Sequence, residues 1–153
     1  MTLPLVYAHR GASAYAPENT LLSFQKAVDM NADGVELDIQ LTKDGEIVVI
    51  HDEWLDRTSN GTGWVKDYTL EELKKLEFNQ NFPELGHASI PTMQEVLDLL
   101  KPTKLRIDIE LKTGIVFYEG LEEKILKLVK DYDMESRVEY SSFNHYTCKK
   151  IHE

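Results

Sequence analysis

The sequence predicts an α/β fold in which helices cover a largely parallel β-sheet. Short apolar strand candidates alternate with amphipathic helix candidates along the 153 residues, and this order is typical of parallel sheets with covered faces. Polar side chains follow five consecutive strand candidates, at the edge where parallel α/β folds build their sites. Because domains of roughly 100–150 residues are the commonest, we expect residues 1–153 to form a single domain.

Five strands are predicted, over residues 5–8, 35–39, 47–50, 105–111 and 137–140, from apolar runs or strict alternation. A first helix is expected from about residue 18, with Asn19 or Thr20 as its cap. Residues 54–68 are polar and contain glycine, which predicts a loop, and residues 69–72 are a capping-box candidate that opens a short helix. Two further helices are expected over about 91–100 and 118–132. The secondary structure therefore alternates along most of the chain.

The connection between the second and third strands has two interpretations. Lys43-Asp44-Gly45 is typical of a hairpin turn, which would make the two strands antiparallel. The alternative is an extended return segment that joins two parallel strands without a helix. Periodicity alone does not choose between them.

Composition excludes some classes of function. The formal net charge is −10, from 27 acidic and 17 basic residues, so we expect no nucleic-acid partner, because binding to nucleic acid needs a basic surface. A single cysteine rules out an intramolecular disulfide and suits a reducing compartment. The start shows no secretory signal and no apolar stretch approaches the roughly 20 residues of a membrane span. We therefore predict a cytoplasmic protein without a membrane span.

Three carboxylates are candidate metal ligands. Glu36 and Asp38 alternate onto one face of the second strand, and Glu110 can join them from the fourth. Such a group would repel itself unless a cation lay between its members, and oxygen ligands suit Mg²⁺ or Ca²⁺. The other interpretation is that these are surface acids in an acidic chain.

Two histidines and two cations follow the same strands. His9 and His51 are candidates for metal ligands or for a general acid and base, although a histidine at a strand end is more often structural. Arg10 and Lys112 are suited to binding phosphate oxygens, or they form ion pairs with neighbouring acids. The two roles are compatible, because a cation that forms an ion pair with an acid can still bind phosphate.

An ordered set of short motifs extends from about residue 5 to residue 143. The motifs are His9-Arg10-Gly11, Pro17-Glu18-Asn19-Thr20, Glu36-Leu37-Asp38, Thr42-Lys43-Asp44-Gly45, His51-Asp52, Arg57-Thr58 with Gly61 and Gly63, Ile109-Glu110-Leu111-Lys112, and Ser142-Phe143. In this order and spacing they resemble the glycerophosphodiester phosphodiesterase family, whose fold is similar to that of the phosphatidylinositol phosphodiesterases.

The resemblance implies a fold, a reaction and a set of site residues. The fold is an irregular TIM barrel that joins strands two and three by the extended return and carries a small insertion, here at about 54–90, over the barrel mouth. The reaction is hydrolysis of a glycerophosphodiester to glycerol-3-phosphate and an alcohol. The implied site residues are His9 and His51 as general base and acid, Arg10 and Lys112 on the phosphate, Phe143 on the glycerol or head group, and Glu36, Asp38 and Glu110 on one divalent cation, Mg²⁺ or Ca²⁺.

The sequence departs from the family pattern in two respects. Asp108 stands where an asparagine is expected and adds a negative charge near the site. A TIM barrel typically takes ~250 residues, so the five predicted strands correspond to a barrel without strands six to eight, its C-terminal third. Such a sheet exposes the edges of strands one and five. We expect either a fragment of a longer protein or self-association through those edges.

Three functions are therefore compared. The first is metal-dependent hydrolysis of glycerophosphodiesters. The second keeps the chemistry but acts on lysolipids, as a lysophospholipase D does. The third is an inactive truncated copy that binds metal or a phosphorylated metabolite, or that serves as an association module.

Overall fold

The computed structural model describes residues 3–153, so the first two residues of the predicted domain lie outside it. The elements are β1 (Tyr7–His9), α1 (Leu21–Asp29), β2 (Gly34–Leu41), β3 (Ile47–Val49), α2 (Leu70–Lys74), α3 (Met93–Leu100), β4 (Arg106–Leu111), α4 (Leu121–Asp131), β5 (Val138–Ser141) and α5 (His145–His152). Every predicted strand and helix is present, and the boundaries shift by up to about three residues.

The sheet has the order β1-β2-β4-β5, and these four strands are parallel to their neighbours. β2 pairs along six residues with β4, so that Val35 lies opposite Ile107 and Asp38 lies opposite Glu110. Because side chains alternate between the two faces of a strand, this register sorts both strands in the same way. Apolar side chains share one face and acidic side chains share the other.

The apolar face of the sheet packs against three helices. Leu37 and Ile109 are fully buried in one cluster together with Phe24 of α1, Leu97 of α3 and Ile125 of α4. Full burial of a leucine-sized side chain contributes about 1.5–3 kcal/mol. This cluster is the main core of the chain, and it leaves the opposite face of the sheet free for polar groups.

Capping boxes fix where three helices begin. Thr20, Thr69 and Thr92 each accept a hydrogen bond from the backbone N–H three residues later, and the side chain at that later position reaches back to the cap. The prediction of a cap at Asn19 or Thr20 is thus resolved in favour of Thr20, and the predicted capping box at Thr69 is confirmed. Each cap satisfies backbone donors that a helix start would otherwise leave without partners.

The connection between β2 and β3 is a hairpin, and the extended return implied by the family resemblance was wrong. Ile39 pairs with Val49 and Leu41 with Ile47 in antiparallel register. Gly45 has a φ of +80°, which glycine adopts without strain, and its N–H donates to the Thr42 carbonyl at 3.0 Å. The Thr42 hydroxyl further accepts from the Glu46 N–H at 2.9 Å. These local bonds close the turn that Lys43-Asp44-Gly45 predicts by itself.

A second, smaller apolar cluster lies beside β3. It joins Val48 and Ile50 to side chains of the following segment, including Leu55, Leu73 and Phe78. The segment that follows β3 therefore has a core of its own.

Within residues 3–153, no helix is both long enough and apolar enough to cross a membrane.

Gly11 lies between β1 and α1, and a substitution there tests how closely this turn packs against α1. It has a φ of +74°, and a Cβ atom there would lie 2.4 Å from the Ser23 hydroxyl oxygen. We expect Gly11→Ala to lower the free energy of unfolding by about 2 kcal/mol or more, because a left-handed backbone and a clash add up. Urea unfolding measures this. Gly114→Ala is the control, since a Cβ there meets nothing within 4 Å, and equal stability losses in the two variants would contradict the expectation.

Candidate functional site

Three carboxylates come together on the polar face of the sheet. Glu36 and Asp38 project from β2 and Glu110 projects from β4, and one oxygen of each lies within 4.8 Å of the others. The register that places Asp38 opposite Glu110 accounts for this grouping. The convergence that a metal site requires is therefore present, and Asp38 is a buried residue and not a surface acid.

Burial makes this group electrostatically demanding. Asp38 is 0% exposed, and burial raises its pKa even though Asn19 donates a hydrogen bond to it at 2.9 Å. Burial and the neighbouring Asp38 charge raise the pKa of Glu36 to about 7. Glu36 and Asp38 are therefore hard to ionise together unless a positive charge lies beside them.

The donor set fits a hard divalent cation. All three candidate ligands are carboxylates, which Mg²⁺ and Ca²⁺ prefer. The buried Asp38 Oδ1 atom has no hydrogen-bond partner within residues 3–153. Buried polar atoms almost always have one. Glu36, Asp38 and Glu110 could therefore hold such an ion, and the arrangement does not distinguish between the two metals.

Arg10 lies at the rim of this group. Its backbone N–H donates to Glu36 at 3.1 Å, its Nη1 donates to Glu18 at 3.1 Å, and its Nε lies 3.6 Å from Asp38 Oδ2. The residue has a φ of +57°, a conformation that costs a non-glycine residue about 1 kcal/mol or more and that is often found at functional sites. The left-handed turn directs both the backbone donor and the guanidinium towards the acids.

The two predicted histidines reach the group from different strands. His9 ends β1, and its Nε2 lies 3.7 Å from Glu36 with most of the ring exposed. His51 follows β3; its Nδ1 lies 2.7 Å from Asp52 Oδ1 and its Nε2 lies 3.3 Å from the Lys112 ammonium. Because β3 is antiparallel, its end does not share the carboxyl edge of the parallel strands. The hairpin instead carries His51 back towards Asp38, whose carbonyl accepts from the Ile50 N–H at 3.0 Å.

Lys112 joins the carboxylates to His51. Its ammonium donates to Glu110 at 3.2 Å, so the predicted ion pair is present and the cation still faces the site. Asp108 also points to this face. It accepts a hydrogen bond from the Ser141 hydroxyl at 2.9 Å, and burial raises its pKa. The extra acid is therefore partly compensated by a strand neighbour.

Phe143 is not packed against the other predicted site residues. It lies in the loop that follows β5, and its side chain is 87% exposed. The structure thus brings together seven of the eight predicted residues and leaves Phe143 apart in solvent.

Sequence reasoning missed two buried amides that support the site. Asn19 holds Asp38, as described above. Gln40 is fully buried, and its amide nitrogen donates to the carbonyls of Ile50, His51 and Asp52 at 2.9–3.2 Å while its oxygen accepts from Tyr118. The sequence does indicate that Gln40 faces the site, because Gln40 continues the alternation of Glu36 and Asp38 on β2. No such pattern indicates the contact of Asn19, which lies in a loop.

Comparison with known proteins identifies the family. Residues 9–153 match the glycerophosphoryl diester phosphodiesterase family. The chain belongs to this family. It is 53% identical over 148 residues to the glycerophosphodiester phosphodiesterase of Caldanaerobacter subterraneus, covering 96% of this chain and 61% of that protein. A Bacillus subtilis glycerophosphodiester phosphodiesterase is 43% identical over 164 residues, covering 97% and 55%. The chain therefore spans about three-fifths of the length of the curated relatives it matches.

Solved structures of family members confirm the predicted fold class. The glycerophosphodiester phosphodiesterase of Agrobacterium tumefaciens matches with a TM-score of 0.88 and 33% identity, over 97% of this chain and 62% of that one. An Oleispira antarctica phosphodiesterase, solved with sn-glycerol-3-phosphate, matches with a TM-score of 0.84 and 35% identity, over 95% and 60%. The predicted five-stranded part of an irregular TIM-type barrel is thus confirmed.

The raised pKa of Glu36 predicts a pH-dependent stability. A carboxyl whose pKa is 4.5 when unfolded and about 7 when folded gives its full stabilisation below pH 4.5, and this is lost as pH rises through about 7. With a chelator present, we expect the free energy of unfolding to fall by about 2–3 kcal/mol between about pH 5 and about pH 8. Urea unfolding at both pH values measures the loss.

The variant Glu36→Gln tests the assignment, because an amide does not titrate and the pH dependence should shrink. Glu139→Gln is the matched control: Glu139 is a half-exposed acid that pairs with Arg106. The assignment to Glu36 is contradicted if Glu36→Gln keeps the full wild-type loss of stability.

Proposed function

We propose that the chain carries the catalytic centre of a glycerophosphodiester phosphodiesterase, which hydrolyses its substrate to glycerol-3-phosphate and an alcohol with one divalent cation. The observation that carries this proposal is the grouping of three carboxylates with two cations and two histidines on one face of the sheet. Family membership agrees with it, and the O. antarctica relative was solved with the product glycerol-3-phosphate.

Glu36, Asp38 and Glu110 would hold the cation, Mg²⁺ or Ca²⁺. When bound, the ion supplies positive charge that offsets the anionic phosphodiester, which otherwise resists attack. It would also allow Glu36 to ionise at neutral pH, where burial keeps it partly protonated. The ion would therefore stabilise the ionised carboxylates as well as the bound phosphodiester.

Arg10 and Lys112 would bind the phosphate oxygens. Arg10 offers a planar fork and Lys112 a point charge, and both lie at the edge of the carboxylate group. Each is already held by an acid, so neither side chain has to be ordered anew when substrate arrives. This preorganisation lowers the entropic cost of binding.

His9 and His51 would move the protons. His9 would take a proton from the glycerol 2-hydroxyl as that oxygen attacks phosphorus, and His51 would give one to the leaving alcohol. Water would then open the cyclic phosphate with the two roles reversed. The contact between His51 Nδ1 and the Asp52 carboxylate supports this role, because the carboxylate stabilises positive charge on the ring and leaves Nε2 for the substrate.

We also propose that residues 54–90 are the family insertion within one domain of residues 1–153, and that Phe143 contacts the glycerol or head group. The separate apolar cluster beside β3 supports the insertion, and the exposure of Phe143 leaves its ring free to meet a ligand.

The cytoplasmic location stays a prediction. The family match favours a glycerophosphodiester over a lysolipid, and direct comparison of turnover on the two substrates tests this preference.

His9→Ala tests the catalytic role. We expect metal-dependent release of glycerol-3-phosphate from glycerophosphocholine to fall roughly 100- to 10,000-fold, the usual contribution of a general base. Calorimetry should show unchanged cation affinity, because the carboxylates are intact. His87→Ala is the control: its ring is about as exposed as that of His9, but it pairs with Glu77 in the 54–90 segment. Wild-type turnover in His9→Ala would exclude the proposed role.

We further propose that the chain associates with a second copy of itself through β1. The sheet order makes β1 and β5 end strands, and exposed strand edges are templates for pairing. Beside β1 lies a groove of about 430 Å³, and Val6, Ala12 and Met30 are among its apolar lining residues. An open edge next to an apolar groove of this size favours a polypeptide that adds to the sheet and fills the groove.

Val6→Lys tests the association. Val6 is 63% exposed, so a lysine fits the folded chain but introduces charge into the groove. We expect light scattering to give a dimer or larger species for the wild type and a monomer for Val6→Lys. Leu85→Lys, at an exposed leucine in the 54–90 segment, should associate like the wild type. A monomeric wild type would refute the association.

A further inference from the structure

Arg57, in the loop after β3, is held between two carboxylates. Its Nη1 and Nη2 donate to the two oxygens of Glu18 at 2.8 and 2.7 Å. Its Nε and Nη2 donate to the two oxygens of Asp52 at 2.7 and 3.0 Å. The guanidinium therefore makes two bidentate forks, one end-on with Glu18 and one side-on with Asp52, and bidentate pairs are among the strong contacts of arginine with acids.

One fork leads to His51. Asp52 Oδ1, which accepts from Arg57, also lies 2.7 Å from His51 Nδ1. A carboxylate at this distance accepts a hydrogen bond from Nδ1–H and thereby selects, for the neutral ring, the tautomer whose Nε2 lone pair is free, the form in which His51 would act as the base of the second step. That lone pair faces the Lys112 ammonium at 3.3 Å. The hydrogen bonds of Arg57 lower the pKa of Asp52 to about 2, so the acceptor stays ionised.

The other fork leads to Arg10. Glu18 Oε1 accepts from Arg57 at 2.7 Å and from Arg10 Nη1 at 3.1 Å. Arg10 Nε lies 3.6 Å from Asp38, so without Glu18 the guanidinium is free to turn further into the acids. Arg10, Glu18, Arg57, Asp52 and His51 thus form one continuous hydrogen-bonded row, in which the first four residues carry alternating charge.

We propose that Arg57 is a positioning residue that fixes the His51 tautomer and the Arg10 guanidinium at the same time. This inference rests on the proposed function of those two residues. Arg57 touches neither the three carboxylates nor the two histidines in its described hydrogen bonds, and it acts only through Asp52 and Glu18. It would join the segment after β3 to both sides of the site, the phosphate-binding side and the proton-transfer side.

A merely structural ion pair predicts something different. Arg57 is 44% exposed, and if its bidentate pairs were purely structural, removing the arginine would lower the free energy of unfolding. It would not change the tautomer of His51. The two interpretations separate when the state of His51 is measured directly.

The experiment compares Arg57→Gln with wild type by long-range ¹H–¹⁵N NMR of the histidine rings, above the pH at which they titrate, with His51→Gln to assign the signals. We expect the ratio of Nδ1–H to Nε2–H tautomer at His51 to fall roughly tenfold in Arg57→Gln, as a charge-assisted bond to Asp52 loosens. Asp52→Asn should shift the ratio in the same direction. Arg106→Gln is the control, because Arg106 is 46% exposed and pairs with Glu139 away from the site.

Arg57→Lys keeps the charge but cannot make both forks, so it should give an intermediate tautomer ratio; it also serves if Arg57→Gln does not fold. Turnover of glycerophosphocholine should fall at least tenfold in Arg57→Gln through kcat, with cation affinity unchanged. An unchanged tautomer ratio in both variants overturns the inference, whatever the turnover. A wild type without turnover contradicts the proposed function, and the tautomer ratio then decides on Arg57 alone.

Discussion

The parallel register between β2 and β4 is the constraint on which both the core and the site depend. It pairs Leu37 with Ile109 on one face and Asp38 with Glu110 on the other. A slip of one residue would move an acid into the apolar cluster and an isoleucine into the site. The large burial of Leu37 and Ile109 therefore fixes the position of the carboxylates as firmly as it fixes the fold.

Holding acids in this way has an electrostatic cost that the chain offsets only in part. Asn19 and the Arg10 guanidinium compensate Asp38, and Lys112 compensates Glu110. The remaining imbalance appears as a pKa near 7 for Glu36. The same imbalance agrees with the proposed function, since a divalent cation would offset the acids and an anionic substrate would then offset the charge of the ion.

Local patterns predicted what depends on one element, and they could not predict what depends on the meeting of several. Alternation within β2 and β4 predicted the face shared by Glu36, Asp38 and Glu110, and the Thr69 capping box was correct because a cap involves neighbouring residues. The pairing of Arg57 with Glu18 spans 39 residues, and no periodicity signals it. The motif resemblance placed both residues in the family pattern, but it gave neither of them a partner.

The β2–β3 hairpin shows how His51 can lie beside the carboxylates although the predicted connection was wrong. His51 was expected at the site because it ends a strand at a shared carboxyl edge. The third strand runs the other way, so that argument does not hold for it. β2 extends past Asp38 to Leu41, the turn closes at Gly45, and the return strand brings His51 back to the level of the carboxylates. Gln40 then ties the carbonyls of residues 50–52 to β2. The position of His51 therefore follows from the length of the hairpin and from one buried amide, and a change in either would move the ring away from Lys112 while leaving the three carboxylates in place.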